Sequence, residues 1–398
     1  MSFSFPTEVI SEGMVQAAVP RLKAFVKKPS DYGPSKAPVF YNPAMKLNRD
    51  LAVLALQAFQ RFHGCELVVC EPMAGCGIRG LRLAKEVDRV KKVIINDIND
   101  EAVRLARFNI EKNQLGRKVS VKNEDANLLL SRFAKPRKRF DYIDIDPFGS
   151  PIPFLDSALR ALRRNRLLAL TATDLAPLCG VHFKACVRKY GGRPLRTGYC
   201  HELAIRLLSS ALVRSAAKYD IGVKVLYSYS LRHYVRLYAL ISYGAKNADN
   251  GLENIGWIHH CFGCFHREAT AGTFKLNRRL CPECGKKMET SGPLWIERII
   301  DESFLACMER ESGIKEFKNK KSIRKLLILA REEANAPITY YRIDKMCDKL
   351  GLPMPATKTV KSRLEGKNYK ACLTHFNSHG LKTDAPAKVV KDAISGSF

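Results

Sequence analysis

The sequence has few acidic residues for its length. Its 398 residues include 39 aspartates and glutamates against 67 lysines and arginines, which gives a formal net charge of +28. So large a positive excess predicts a polyanionic partner, and it favours nucleic acid over a membrane surface. Internal repeats and low-complexity runs are also missing. The hydrophobic content of 46% is ordinary for a globular protein, and the chain is long enough to form more than one hydrophobic core.

Features that direct a chain into or through a membrane are absent from the sequence as well. No stretch approaches the ~18 consecutive apolar residues of a transmembrane helix. The first residues lack a basic segment followed by an apolar one, so no signal peptide is predicted. The 13 cysteines are therefore expected as reduced thiols or metal ligands. We predict a cytoplasmic protein, with the nucleus as the alternative, and find no sign of an obligate protein partner.

A hairpin, a connector and a helix are predicted ahead of the first sheet strand. Residues 7–19 have the pattern of a β-hairpin, and Lys27–Pro43 form a basic connector broken by prolines. Asn48 is predicted to cap a helix that runs to Phe62. Arg49 then lies in the first turn, where a cation is unfavourable against the helix dipole, so we expect its guanidinium to hold a carboxylate.

A glycine-rich turn follows the first predicted sheet strand, Leu67–Cys70. The turn has the sequence EPMAGCGIRG and contains Glu71, Gly75 and Gly77. These residues fit the E/D-x-x-x-G-x-G turn of class I methyltransferases. The glycines allow the backbone to approach a ligand closely, and the N-terminus of the following helix favours the ligand's anionic end.

Two further predicted strands end at carboxylates. The strand Lys92–Asn96 precedes Asp97, at the distance from the glycine turn where an acid holds ribose hydroxyls. A strand over residues 118–122 precedes Asp125, whose carboxylate is placed to accept a hydrogen bond from an adenine amine. No Gly-Lys-Ser/Thr follows the glycine turn, which argues against a phosphate-cleaving P-loop.

The fourth strand, Phe140–Ile145, ends at Asp146, Pro147 and Phe148. A base with an exocyclic amine would find an acceptor for its N–H in Asp146 and a ring to stack on in Phe148. The alternative is a strand cap with the Phe148 ring in the core. With the upstream acids, the loop favours methyl transfer from S-adenosylmethionine to an amine over a dehydrogenase, which has no obvious use for an Asp-Pro-Phe loop.

The remaining elements complete a class I, Rossmann-like methyltransferase domain of α/β class over residues 1–245. A fifth strand ends at Asp174, and a long helix runs from His201 to Tyr219. Two strands, over residues 223–230 and 235–243, would close the sheet as an antiparallel pair.

A second domain of α+β class is predicted over residues 246–398, after a turn-rich break at 246–251. Residues 256–290 contain two C-x-x-C pairs, which predict a zinc ribbon held by Cys261, Cys264, Cys281 and Cys284. Four sulfur ligands leave no open position for water, so the zinc would be structural; a redox pair is the less favoured alternative. Residues 293–398 are predicted as a winged-helix-like module, or else a helical domain with a solvated basic face.

Several motifs together resemble the tRNA guanine N2,N2-dimethyltransferase family, whose members act at guanine 26. They are, in chain order, NPAMKLNRD, EPMAGCGIRG, NDI, DANLL, DIDPFGSP, LTATDLAPLCG, RKYGG, CHE and, near the end, THF, LKT and AP. The resemblance covers nearly the whole chain. It implies S-adenosylmethionine as methyl donor, tRNA as partner, and two successive methylations of one amine.

The resemblance also implies roles for individual residues. The residues that would line the cofactor site are Arg49, Arg79, Asp97, Asp125 and Ala126. Asp146 would be catalytic, and Phe40 and Phe148 would sandwich the guanine. Glu71 stands where relatives carry aspartate, a change that keeps the charge. Alternatives are an adenine or cytosine amino-methyltransferase, and a non-catalytic RNA-binding protein with a methyltransferase-like fold.

Overall fold

The computed structural model describes residues 3–26, 28, 33–231, 233–272 and 280–397. Residues 27 and 29–32 of the predicted connector therefore lie outside the described part, as do residues 273–279 between the two cysteine pairs and the last residue of the predicted C-terminal domain. Among the described residues, no helix is both long enough and apolar enough to cross a bilayer.

Strands and helices are numbered in chain order. The strands are β1 (Thr7–Glu12), β2 (Val15–Pro20), β3 (Leu67–Glu71), β4 (Val90–Asn96), β5 (Val119–Lys122), β6 (Phe140–Ile145), β7 (Leu162–Ala172), β8 (Ile221–Leu231), β9 (Tyr234–Tyr243), β10 (Ile255–His260), β11 (Arg267–Ala271), β12 (Glu289–Trp295), β13 (Tyr341–Arg342), β14 (Ala371–Thr374) and β15 (Asn377–Thr383). The α-helices are α1 (Gly33–Lys36), α2 (Lys46–His63), α3 (Ile78–Glu86), α4 (Asp100–Lys112), α5 (Ala126–Phe133), α6 (Leu155–Ala161), α7 (Leu175–Leu178), α8 (Phe183–Tyr190), α9 (Cys200–Ala217), α10 (Ala245–Glu253), α11 (Glu302–Ile314), α12 (Lys320–Glu333), α13 (Ile343–Leu350), α14 (Thr357–Glu365) and α15 (Ala387–Ser395). Short 3-10 helices cover Leu22–Phe25, Pro43–Met45 and Ile152–Phe154.

The N-terminal hairpin and helix have the predicted types with shifted ends. β1 and β2 pair antiparallel, with Glu12 opposite Val15. α2 begins at Lys46, so the prediction that Asn48 caps it is wrong: Asn48 is fully buried inside the helix. The apolar face of α2 is buried, but its last member, Phe62, is exposed.

The main sheet has seven strands in the order β5-β4-β3-β6-β7-β9-β8. β3 pairs in parallel with β4 and β6, β4 with β5, and β6 with β7, while β8 and β9 form an antiparallel pair. The predicted α/β sheet with a closing antiparallel pair is therefore confirmed. Because parallel strands end at one edge, the residues that follow β3, β4, β5 and β6 meet at that edge.

The central strand β6 is buried along its whole length, as expected for a parallel strand covered on both faces. It nevertheless contains two carboxylates. Asp141 pairs with Arg163 at 2.9 Å and with Arg166 at 2.6 Å, and it accepts the backbone N–H of Val68 at 2.9 Å. A buried charge is tolerated there because every side of it has a partner. The second carboxylate, Asp144, belongs to the site described below.

The chain folds as two compact units. The first comprises residues 1–147, 153–170 and 306–324, and the second comprises residues 148–152, 171–305 and 325–398. Each unit draws on residues from both sides of the predicted boundary between 245 and 246. The division into domains of residues 1–245 and 246–398 therefore stays a prediction.

Two small antiparallel sheets belong to the second unit, with strand orders β11-β10-β12 and β13-β15-β14. The latter packs with α13, α14 and α15 around an apolar core that includes Ile343, Met346, Val360, Leu381 and Val390. The sequence predicts a wing over residues 370–382, and the hairpin of β14 and β15 covers residues 371–383. The winged-helix-like character of this module stays a prediction.

Two local predictions in the second unit are wrong. Residues 246–251 form part of α10 rather than a turn, because Ala248 and Gly251 allow close packing on their buried side, and packing outweighs the weak helix propensity of the asparagines. The sequence also predicts a helix over residues 294–310, but β12 extends to Trp295 and α11 begins only at Glu302.

Candidate functional site

Four acidic residues lie at the carboxyl edge of the parallel strands, as the sequence predicts. Glu71 is the last residue of β3, Asp97 follows β4, and Asp146 follows β6. Asp125 follows β5 and caps α5, where its Oδ1 accepts the backbone N–H of Leu128 at 3.0 Å. Ala126 is the buried first residue of α5.

The glycine turn between β3 and α3 requires glycine at two positions. Gly75 and Gly77 have φ angles of +53° and +77°, in the left-handed region that other residues rarely adopt. A Cβ on Gly75 would lie 2.8 Å from the carbonyl oxygen of Phe40. The backbone N–H of Gly75 donates to Oδ2 of Asp97 at 2.8 Å, so this acid holds the turn in place.

Arg79, on α3, is the centre of a buried ionic cluster. Its guanidinium lies 3.2 Å from Glu71 Oε1 and 3.2 Å from Asp144 Oδ2, and it pairs with the carboxylate of Asp146. It also donates to Oδ1 of Asn48 at 2.8 Å. The cluster fixes the orientation of the Asp146 carboxylate, whose side chain is 17% exposed. Arg79 therefore contacts Glu71, at the end of β3, and Asp144, in β6.

The environment of Glu71 disfavours its charge. The pKa of this carboxyl is raised to about 8, mainly by burial and also by Asp144 and Asp146, and the opposing effects of Arg79 and the backbone N–H of Gly80 only partly offset the rise. The N–H of Gly80 donates to Glu71 Oε2 at 2.8 Å. Glu71 thus contributes a carboxyl group that links the end of β3 to α3.

The loop after β6 presents an aromatic ring to solvent. Pro147 is buried, whereas Phe148 is 72% exposed, which rules out the alternative of a ring tucked into the core. In the second unit, Gly149 is held by Thr173: its N–H donates to Thr173 Oγ1 at 2.7 Å, and its carbonyl accepts the N–H of Thr173 at 2.9 Å.

Arg49 holds a carboxylate, as its place in the first turn of α2 predicts, and that carboxylate is Glu12. Nε and Nη2 of Arg49 donate to the two Glu12 oxygens at 2.6 and 2.7 Å, and the guanidinium also contacts the carbonyl of Asn42. These bonds raise the pKa of Arg49, against the effect of burial. Its role toward the cofactor stays a prediction, as does the stacking role of Phe40, which is half-buried.

The four predicted metal ligands converge. The sulfur atoms of Cys261, Cys264, Cys281 and Cys284 all lie within 4.8 Å of one another. Cys261 and Cys284 are 3.4 Å apart, and Cys264 and Cys281 are 3.3 Å apart. Four thiols at such distances suit tetrahedral coordination of one ion.

The histidines beside this cluster differ from expectation. The sequence predicts that His259, His260 and His266 are surface residues beside the cysteines, but His259 and His260 are buried in β10. His259 lies between the hydroxyls of Thr290 and Thr270, at 2.9 and 3.1 Å. β10 is the middle strand of its sheet and is buried along its whole length, so both histidines are buried although they point to opposite faces.

Sequence reasoning missed two residues that contact Arg79, which are Asp144 and Asn48. Asp144 lies in β6 two residues before Asp146, and residues two apart in an extended chain point the same way, so the D-x-D pattern was a usable signal for Asp144. Tyr142, two residues earlier, donates its hydroxyl to Asp144 Oδ2 at 2.6 Å. Asn48 was assigned to a helix cap, and nothing in the local sequence indicates its contact with Arg79.

The second unit also carries a helix with an exposed basic and aromatic side. Lys184 and Arg188 of α8 are exposed, and Phe183 is 44% exposed. Tyr190, at the end of α8, is buried and donates its hydroxyl to Asp174 at 2.5 Å. Asp174 directly follows Thr173, the residue that holds Gly149.

Known proteins resemble this chain over almost its whole length. Residues 18–395 match the sequence profile of the family described as TRM, N2,N2-dimethylguanosine tRNA methyltransferase. The chain is 41% identical over 390 residues to tRNA (guanine(26)-N(2))-dimethyltransferase of Methanobrevibacter smithii, with 98% of this chain and 97% of the relative covered. It is 35% identical over 382 residues to tRNA (guanine(26)-N(2)/guanine(27)-N(2))-dimethyltransferase of Aquifex aeolicus, with 95% and 93% covered.

A solved structure agrees with these relatives. Trm1 from Pyrococcus horikoshii, determined in complex with S-adenosyl-L-methionine, superposes with a TM-score of 0.84 at 32% identity, over 97% of this chain and 99% of that one. Both the sheet and the C-terminal part of the chain are therefore included in the similarity. The chain belongs to the N2,N2-dimethylguanosine tRNA methyltransferase family.

Proposed function

We propose that this protein transfers two methyl groups from S-adenosylmethionine to the exocyclic N2 of guanine 26 in tRNA. The observation that carries the proposal is the ionic cluster of Arg79 with Glu71, Asp144 and Asp146 at the carboxyl edge of the sheet. It places an oriented carboxylate beside a glycine turn in a chain that resembles guanine-26 methyltransferases from end to end.

The donor groups around the glycine turn fit S-adenosylmethionine. Asp97 receives one backbone N–H on each carboxylate oxygen, from Gly75 and from Asn99, and each oxygen keeps a second lone pair for a ribose hydroxyl. Asp125 caps α5 with Oδ1, and we assign its Oδ2 to the adenine amine. The residues assigned to the cofactor site are Arg49, Glu71, Gly75, Gly77, Arg79, Asp97, Asp125 and Ala126.

When bound, S-adenosylmethionine supplies a methyl group on a positively charged sulfur. Carboxylates held around Arg79 favour a cation in their neighbourhood over an anion. Arg79 also keeps the Asp146 carboxylate in one orientation, so the acceptor needs no rearrangement when the target base arrives.

Asp146 is the residue we assign to the target amine. The lone pair of guanine N2 is delocalised into the ring, so the amine is a weak nucleophile until its N–H bonds are engaged. Asp146 accepts one N–H, the carbonyl of Pro147 accepts the other, and the proton released on transfer passes to Asp146. After the first transfer Asp146 releases this proton to solvent and the spent cofactor is exchanged. One N–H then remains on the amine, and the same carboxylate accepts it for the second transfer.

The target base must leave the RNA stack before it reaches Asp146. We propose that the rings of Phe40 and Phe148 replace the lost stacking, which amounts to about 1–3 kcal/mol per base. The exposure of the Phe148 ring supports this assignment.

The exposed side of α8 is the surface we assign to the tRNA backbone. Lys184 and Arg188 lie one helical turn apart and offer two cations to phosphates, and Phe183, the first residue of the helix, offers an exposed ring. Tyr190 and Asp174 connect this helix to the segment that holds Gly149 within the second unit.

The second unit contributes further to substrate binding in this proposal. Cys261, Cys264, Cys281 and Cys284 hold a structural zinc ion that stabilises the ribbon of β10, β11 and β12. Residues 293–398 form a winged-helix-like module that contacts tRNA through its basic side chains. The expected location is the cytoplasm, with the nucleus as the alternative.

Two tRNA transcripts that differ only at position 26 test the proposal. Each is incubated with the protein and S-adenosylmethionine, digested to nucleosides and analysed by mass spectrometry. We expect N2,N2-dimethylguanosine from the transcript with guanine 26 and none from the transcript with adenine 26. Methylated adenosine or cytidine would identify a different amino-methyltransferase, and tRNA binding without any product would identify a non-catalytic RNA-binding protein.

A further inference from the structure

A second group of metal-ligating side chains lies in the second unit, outside the sites described above. The sulfur atoms of Cys179 and Cys200 and a ring nitrogen of His201 all lie within 4.8 Å of one another. The ligand atoms of the four-cysteine cluster lie within the same limit, but Cys179, Cys200 and His201 come from elements with no part in the zinc ribbon.

Two features of the fold bring the three ligands together. Cys179 directly follows α7 as its C-terminal cap, and Gly180 comes next with a φ of +90°. A Cβ on Gly180 would lie 2.9 Å from the backbone nitrogen of Arg196. This close approach places the end of α7 against the segment that leads into α9. Cys200 and His201 are the first two residues of α9. The glycine is therefore required for the convergence.

The ligands are suited to a soft or borderline cation. Cys179 and Cys200 hydrogen-bond to each other through their thiols, as the paired thiols of the four-cysteine cluster do. Two thiolates and a neutral imidazole balance the charge of one divalent ion and form a common partial set for zinc. Arg342 is the nearby cation, and its charge is paired with Asp344 at 2.7 Å.

The next residue, Glu202, is excluded from the set because its carboxylate turns the other way. It accepts from Arg206 at 2.8 Å and from the backbone N–H of Thr339 at 3.0 Å. Cys200 and His201 are partly exposed, whereas Cys179 is buried. A fourth position would therefore face solvent.

We propose that Cys179, Cys200 and His201 bind a second Zn²⁺ ion, with solvent as the fourth ligand. The site is separate from the four-cysteine cluster, and the proposal stands independently of the methylation reaction. A site with three protein ligands is expected to release its ion to a chelator before the four-cysteine cluster does.

Titration of the reduced, metal-free full-length protein with Co²⁺ tests the proposal, because thiolate-bound cobalt absorbs strongly through charge transfer. We expect two thiolate-bound ions per chain in the wild type. His201→Gln, which keeps both cysteines and changes a partly exposed side chain, should lower the number to one, and Cys200→Ser should do the same. Cys65→Ser removes a cysteine that belongs to neither cluster and should leave two.

The outcomes separate the two sites. Suppose that the wild type binds one cobalt ion per chain, that His201→Gln also binds one, and that Cys261→Ser/Cys264→Ser binds none. This result would overturn the second site and keep the structural zinc. If the wild type binds one cobalt ion per chain and His201→Gln binds none, the second site is kept and the structural zinc is overturned. A Cys179–Cys200 disulfide in the protein as isolated without oxidant, detected by peptide mass spectrometry, would also overturn the proposal.

Discussion

Asp97 has two tasks at the level of the single residue. It holds the glycine turn through the N–H of Gly75, and in the proposed function it also accepts the ribose hydroxyls. The sequence predicts the second task from the distance between acid and turn. It does not predict the first, because a hydrogen bond between two loops depends on how the strands align in the sheet.

Replacement of Asp97 by alanine should weaken cofactor binding and leave tRNA binding unchanged. Loss of hydrogen bonds to a charged acceptor, at about 1.5–3 kcal/mol each, should lower the affinity for S-adenosylhomocysteine roughly a hundredfold. Isothermal calorimetry measures this affinity, and Asp97→Asn, which keeps one acceptor oxygen, should lose less. Unchanged cofactor affinity with weakened tRNA binding would contradict the assignment.

The glycine turn is the element on which the cofactor site depends. Gly75→Ala would force a non-glycine residue into the left-handed region, at about 1–2 kcal/mol, and would push a Cβ against the Phe40 carbonyl. We expect the free energy of unfolding to fall by at least about that amount and the affinity for S-adenosylhomocysteine to fall roughly tenfold.

A matched control is Gly116→Ala, because Gly116 has nothing within 4 Å of the added Cβ and no positive φ angle. Urea unfolding and calorimetry on both variants make the comparison. If the two variants have the same free energy of unfolding and the same affinity for S-adenosylhomocysteine, the requirement for glycine at position 75 would be contradicted.

Helix α8 is the element we assign to tRNA phosphates. Lys184→Gln/Arg188→Gln should weaken tRNA binding and reduce the slope of log affinity against log salt by about 1.5, because each lost phosphate contact changes that slope by roughly 0.7–0.9. Affinity for S-adenosylhomocysteine should not change. The control Arg107→Gln/Lys112→Gln removes the same charge from the exposed side of α4. If both double variants have the same salt slope, α8 makes no specific contact.

Elements were predictable where the residue pattern alone decides them. The strand Phe140–Ile145 was predicted with its observed bounds because a run of β-branched and aromatic residues ends at Asp-Pro. α10 was not, because asparagine and glycine favour turns and only packing of its small residues makes the helix. The acids after the strands were predictable from topology, whereas their contact with Arg79 depends on a long side chain from another element.

At the scale of the whole molecule, a buried ionic cluster stabilises the second unit. Glu202, on α9, contacts Lys382, on β15, at 3.1 Å, and Lys382 also lies 3.5 Å from Glu333. Burial alone would raise the pKa of Glu202, but Lys382, Arg206 and the N–H of Thr339 lower it to about 2. The sequence gives no sign of the contacts of Lys382 with Glu202 and Glu333, because Lys382 is 180 and 49 residues away from them along the chain.

This cluster gives a pH dependence with a definite sign. The folded pKa of Glu202 is lower than its value of 4.5 in the unfolded chain, so its stabilisation is complete above pH 4.5 and is lost as the pH falls toward 2. The difference in unfolding free energy between wild type and Glu202→Gln should shrink over that range by an amount of the order of 3 kcal/mol. Urea titrations of both proteins measure it, and a difference that is independent of pH would contradict the role of the cluster.

The central claim is that the Asp146 carboxylate makes guanine N2 reactive. A single-turnover assay of methyl transfer to tRNA, with saturating protein, compares wild type with Asp146→Asn and with Asp156→Asn, which changes an exposed aspartate on α6. We predict that Asp146→Asn binds tRNA and S-adenosylhomocysteine as the wild type does but transfers methyl about 10²–10⁴-fold more slowly, while Asp156→Asn is unaffected. A transfer rate for Asp146→Asn close to that of the wild type would contradict the account.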